Sequence, residues 1–266
     1  MTAPIPRDIP DLPVIPGIAT LLHSHSPVPA TAVVPFTHRP LTAAFRTLIA
    51  VAAAGATALS LLLTPAPTAL SYFSVQTAIL ISLVHAVSAR RAWTARRPVS
   101  PNVTAAILLY AAITALTYHF LPGHASPALP VAPPSPPPPA STWQTLTDVT
   151  LHTALPVAVA LDWLLLTAPG PLRLRRAATW LLYPLTYLAF TLARGTLLTP
   201  HTAPGRYLYP FLDVARHGYK HTLGNALLLG LTCYALAVLL IALDHARPNP
   251  TRRRTKTGFR LQPPVG

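Results

Sequence analysis

Six apolar runs divide the chain, at about 41–63, 70–89, 103–121, 145–167, 178–199 and 221–244. Each approaches the roughly 20 residues that a helix needs to cross a hydrocarbon core. Inside the runs, polar residues recur at helical spacing. In the fourth, Asp148, His152, Leu155, Val159 and Asp162 follow one another at intervals of 4, 3, 4 and 3, which puts them on one helix face. Ser74, Thr77, Ile81, Ser82 and His85 form a stripe in the second run. Trp180, Tyr183, Tyr187, Phe190 and Arg194 do so in the fifth, and His221, Asn225, Leu228 and Thr232 in the sixth. Polar groups in lipid are costly and turn toward a bundle interior. The pattern predicts an all-α polytopic membrane bundle of six transmembrane helices with a lined interior.

Charge orients this bundle. The 266 residues are 52% hydrophobic and only 10% charged, too little charge to coat a water-facing surface. Glutamate is absent, and 20 Lys and Arg leave a formal net charge of +14. The basic residues fall between apolar runs: Arg90, Arg91, Arg96 and Arg97 after the second, Arg173, Arg175 and Arg176 after the fourth, and Arg247 to Arg260 after the sixth. Arg39 precedes the first run, and Arg46 is expected to snorkel from its start. The turn at 64–69 and the connection at 122–142 carry no Lys or Arg. The positive-inside rule places both termini in the cytoplasm, with Arg206, Arg216 and Lys220 of the 200–220 loop running against it. Charge distributed in this way is a topology signal, so nucleic acid is not an expected partner.

Residues 1–40 form a Pro-rich N-terminus without the apolar core of a signal peptide, expected to be disordered, and 246–266 a basic cytoplasmic tail. The membrane domain spans 41–245 and includes a Pro-rich outer stretch, PALPVAPPSPPPPA, read as a polyproline II tether. The single cysteine, Cys233, forms no internal disulfide. The expected location is the cell membrane, a bacterial plasma membrane on the Ala-, Pro- and Arg-rich composition, with membrane lipids as the partners.

Depth along the spans sorts the polar residues into two layers. In the outer leaflet, Ser74 and His152 lie about 6–10 Å below the start of their helices at 1.5 Å per residue. Asp148 is one turn above His152. A hydroxyl, an imidazole and a carboxylate behind it are the parts of a nucleophile–base pair. The blander reading is a serine bonded back to its own helix and a structural histidine. Arg194 joins this layer and Asp213 lies just outside it, as candidates for substrate binding. Nearer the cytoplasm, His85 and Asp162 form an interior polar pair. Asp213, His217 and His221 read D-x3-H-x3-H, a spacing that suits zinc on a continuous helix, but Gly218 interrupts it. Neither a metal nor another cofactor is expected.

The strings LSYFSVQTAIL (70–80), HTALPVAVALDWLLL (152–166), WLLYPLTYLAFTLARG (180–195) and YLYPFLDVARHGY (207–219) resemble the bacterial branch of the androgen-induced protein family, six-span membrane proteins. The likeness covers about two-thirds of the chain. It implies kinship with intramembrane hydrolases that cleave fatty-acid esters of hydroxy fatty acids using a Thr in the second span and a His in the fourth. By that resemblance Ser74 takes the nucleophile's place and His152 the histidine's. Serine keeps the hydroxyl but not the methyl. The alternative from another class is a non-enzymatic protein or proton-coupled carrier using His85, Asp162 and His152. A topology reporter fused at Gly266 and another within 127–140 should lie on opposite sides of the membrane; finding both on one side would refute the six-span count.

Overall fold

Proline at the first helical position and apolar small residues behind it start the first helix, where a missing N–H costs nothing. The computed structural model describes residues 38–121, 141–169, 172–198 and 207–248. All regular structure among these residues is helical. There are six long segments: α1 (Pro40–Leu63), α2 (Phe73–Trp93), α3 (Pro101–Phe120), α4 (Thr142–Leu166), α5 (Leu174–Leu197) and α6 (Val214–Ala246). Five are long and apolar enough to cross a membrane; α5 matches them in length but carries more charge and hydroxyl groups. Large apolar side chains such as Leu48, Leu83, Leu165, Leu182 and Leu227 point outward and are exposed. Water would not tolerate such a surface and hydrocarbon welcomes it. The chain is a multi-pass membrane protein. The Pro-rich N-terminus, the Pro-rich outer stretch and nearly all of the basic tail lie outside the described residues.

The buried face of α1 is mostly small: Ala43, Ala50, Ala53, Ala56 and Ser60. Small residues let helices approach closely where no hydrophobic effect pulls them together. Against this face lies α2, whose Ser82 Oγ donates to the Ala50 carbonyl at 3.0 Å. Residues 148, 152, 155, 159 and 162 of α4 are all buried, as their spacing predicts.

Arg46 does not snorkel. Only 6% exposed, it reaches across the bundle to Asp162, itself 4% exposed. Nε donates to Oδ1 at 2.7 Å and Nη2 to Oδ2 at 3.2 Å. Nη1 donates to Ser88 Oγ at 2.8 Å, and Nη2 also reaches Thr167 Oγ1 at 3.2 Å. The cause is geometric: nearly two turns inside α1, Arg46 stands at the depth of the last two turns of α2 and α4. His85 lies within electrostatic reach of both charges, while its Nδ1 bonds the Ile81 carbonyl at 2.9 Å. The direct partner of Asp162 is thus Arg46, and the pair is a neutralised clamp between α1, α2 and α4.

A second clamp joins α4 to α6. The Arg247 guanidinium lies 4.3 Å from the Trp163 ring centre, donates to the Leu164 carbonyl at 3.0 Å and to that of Thr167, and pairs with Asp244 at 3.7 Å. It satisfies carbonyls that the end of a helix leaves without partners. The other oxygen of Asp244 accepts from the Leu172 amide at 3.5 Å.

Breaking the first clamp on one side strands a buried charge. Asp162→Asn or Arg46→Ala should each destabilise the detergent-solubilised protein by about 3–5 kcal/mol. Arg46→Met combined with Asp162→Leu should recover much of that loss, since paired apolar replacement removes both charges. Thermal unfolding of the three variants checks this, and a double variant as weak as the singles would contradict it.

Candidate functional site

The start of α2, the end of α3 and the first half of α4 enclose a small cavity of about 10 Å³, lined by Phe73, Ser74, Thr114, Thr117, Tyr118, His152 and Tyr209. Ser74 and His152, assigned to one layer on depth alone, share its wall. That volume is near the lower limit for a single water.

Most hydroxyls in this bundle bond to the carbonyl one turn back on their own helix. Within the cavity, Thr114 bonds Tyr110 at 3.0 Å, and Thr117 bonds Ile113 at 2.9 Å. Ser74 differs: its Oγ is buried without a hydrogen-bond partner among the described residues. The local chain explains why. Ser74 is the second residue of α2, so the carbonyl four back, Leu70, precedes the helix and accepts from Gln76 Nε2 at 2.8 Å. The first turn of α2 also presents backbone N–H groups and the positive end of the helix dipole.

His152 is 2% exposed. Its helix starts in a capping box, where Ser141 Oγ accepts from the Gln144 amide and the Ser141 amide donates to Gln144 Oε1. Between Thr150 and Ala154 the helix widens into a π-turn. Pro156 accounts for this, because it has no N–H to offer the carbonyl of residue 152 and its ring crowds that oxygen. Such turns recur at functional sites. The imidazole stacks on Tyr118 with ring centres 4.1 Å apart and planes at 14°. Its Nδ1 lies 3.0 Å from the Asp148 carbonyl oxygen. A carbonyl only accepts, so Nδ1 carries the proton of the neutral ring and Nε2 keeps its lone pair. The contact from residue 148 that orients the ring runs through its main chain.

Asp148 and Arg194 both act electrostatically on the Tyr72 hydroxyl. Asp213 has a structural task as well: Oδ1 accepts from the Ala215 amide at 2.9 Å and caps α6. At Gly218 (φ 72°) the helix breaks, so Asp213, His217 and His221 do not share a continuous helical face. Among the described residues no three His, Cys or Asp side chains group to hold a metal.

Aromatic residues form the floor. Phe73 stacks on Tyr183 at 5.3 Å and meets Tyr187 edge-on at 5.1 Å. Tyr183 Oη donates to Gln76 Oε1 at 3.1 Å and Tyr187 Oη to the Ser71 carbonyl at 2.7 Å, fixing α5 against the start of α2. The segment 207–212 folds inward: Tyr207 and Leu208 are buried and Tyr209 reaches the cavity. Burial pushes the Tyr209 phenol up to about 12, so it remains a neutral hydroxyl.

Tyr118, Thr114, Thr117 and Tyr209 escaped the stripe analysis. Tyr118 stands in the last turn of its span, close in depth to Ser74, which lies four residues below the start of its own. No protein-family model, curated protein or solved structure matches the chain.

The inward fold depends on Gly195. A Cβ there would come within 2.0 Å of Tyr207 Cε1 and 2.3 Å of Cδ1. Gly195→Ala should therefore destabilise the protein by about 1–3 kcal/mol, and Gly195→Ala with Tyr207→Ala less than additively. A Gly195→Ala variant melting with the wild type would show that Tyr207 moves freely.

Proposed function

We propose that the protein is a six-span member of the androgen-induced protein-like group, with both termini cytoplasmic, and that it hydrolyses lipid esters through Ser74 and His152. The topology is supported by contacts that gather one end of the bundle. The Arg39 amide donates to the Ala92 carbonyl at 3.2 Å, Arg46 pairs with Asp162, and Arg247 clamps the end of α4. These are the start of α1 and the ends of α2, α4 and α6, the end rich in arginine. The 24 residues of α5 reach about 36 Å, enough to span.

One observation carries the hydrolase reading. The buried hydroxyl without a partner faces the same cavity as an imidazole whose Nδ1 is tied to a carbonyl. In this reading His152 Nε2 takes the Ser74 proton as Oγ attacks the ester carbonyl carbon. The oxyanion forms beside the first turn of α2, where N–H groups and the helix dipole favour negative charge. Collapse breaks the ester C–O bond, and the imidazolium protonates the departing alcohol. A water then enters, gives its proton to His152 and attacks the acyl group; fatty acid leaves and Ser74 regains its proton. In the same reading Arg194 attracts the carboxylate product and Asp148 favours the imidazolium. Nothing specific favours a proton relay through Asp162, because Arg46 neutralises it.

The purified protein should react with a fluorophosphonate and hydrolyse long-chain fatty esters. Ser74→Ala should abolish both. His152→Ala should slow hydrolysis by about 10²–10⁴-fold, the scale of general acid–base catalysis, whereas Ser74→Thr retains part of it. Full activity in either alanine variant rules this site out.

A further inference from the structure

Beyond the Ser74–His152 cavity, a smaller cavity and a groove adjoin it in turn, each sharing wall residues with the next. A groove of about 560 Å³ runs between α3 and α6, walled by Leu116, Leu228, Leu229, Cys233 and Leu236. Its size falls within the range of small-molecule sites. Asn225 lies at its outer end, where Nδ2 donates to the Phe211 carbonyl at 2.8 Å. From Asn225 to Leu236 the wall extends about 17 Å along the helix axis. A second cavity, of about 50 Å³, shares Ile113, Phe211, Leu229 and Cys233 with the groove, and Phe73 and Tyr209 with the Ser74–His152 cavity. Thr117 borders all three. Its hydroxyl bonds the Ile113 and Thr114 carbonyls at 2.9 and 3.1 Å, so it is turned back to α3 and leaves the methyl for the junction.

From this continuity we infer that the α3–α6 groove takes a single acyl chain of the ester, admitted sideways from the bilayer, and that Thr117 is the narrow point through which the ester carbonyl reaches Ser74. The inference rests on the hydrolase reading for the identity of the ligand. Continuity sets this groove apart from others on the bundle. A larger one, about 890 Å³, lies on α1 and α2, but its wall ends on Arg90 and Trp93 and includes no residue of the Ser74–His152 cavity. The groove also explains the sixth span's polar stripe: Asn225, Leu228 and Thr232 line it. Leu228, expected to face a closed interior, is 65% exposed there. The side that was read as core is a slot open to lipid.

The test combines crosslinking with obstruction, using the full chain in phosphatidylcholine vesicles. A long-chain fatty ester bearing an alkyl diazirine should, on illumination, attach mainly to 225–236 of α6 and the facing turns of α3. Added methyl oleate at constant phospholipid should suppress these adducts. Labelling that ignores methyl oleate and equals that on α1 and α2 would mean bilayer tails resting on an ordinary surface, and would overturn the assignment. Gly230→Leu fills the connecting cavity, and a Cβ at Gly230 meets nothing within 4 Å, so folding should survive. This variant should lower the long-chain to short-chain ester rate ratio about tenfold, a change of roughly 1.4 kcal/mol, with fluorophosphonate labelling of Ser74 retained. An unchanged ratio refutes the route. Wild type that neither labels nor hydrolyses, yet crosslinks at 225–236, would end the hydrolase reading and leave the chain-binding groove standing.

Discussion

A guanidinium and a carboxylate at membrane depth are tolerable only together, and one half of the bundle is organised by that demand. Arg46 of α1 directs its donors to Ser88 of α2 and to Asp162 and Thr167 at the end of α4. None of these can move far without uncovering a charge in a medium that does not solvate it. The pair is a poor source of net stability, since two charges had to be dehydrated to form it. Its strength lies in selection: α1, α2 and α4 have one mutual register in which both charges are answered. Ten residues up α4, about 15 Å away, His152 inherits that register.

Departures from ideal helix do the finer positioning. Two prolines inside helices leave carbonyls that their own helix cannot satisfy, and the two cases are resolved differently. Opposite Pro184 the Trp180 carbonyl accepts from Tyr110 Oη of α3 at 3.0 Å, so a defect in α5 becomes a bond between helices. Opposite Pro156 the helix widens, and the π-turn carries His152. The late start of α2 works to similar effect on Ser74. One residue pair is prepared by a proline, a capping box and a helix start, all of them local features in sequence.

Much of this is legible before any coordinates. Polar spacing along α4 identifies its buried face because hydrocarbon enforces periodicity strictly, and the depth count brings Ser74 and His152 to one layer. Partners across the bundle are harder. Counting depth pairs Asp162 with His85, both near the ends of apolar runs, but the long flexible side chain of Arg46 outreaches the imidazole; its place near a helix start reads equally well as snorkelling. The same ambiguity hid Arg247 among topogenic arginines. Tyr207, Tyr209 and Phe211 resemble an interfacial belt in composition, and only Gly195, a glycine on the facing helix, hints that the chain turns inward.

The clamp at Arg247 also bears on the order in which the molecule can be made. The carbonyl of Leu164 waits for a donor 83 residues later in the chain. At translation rates of about 5–20 residues per second, that is a delay of about 4–17 s. During this interval α4 has been synthesised but its inner end is unanchored, with Trp163 lacking its cation. The growing chain therefore passes through a stage with four helices assembled around Arg46 and Asp162 and the last pair still to dock. Interference with membrane insertion at that stage would leave a half-built bundle for quality-control proteases to find, although each of the first four helices is intact.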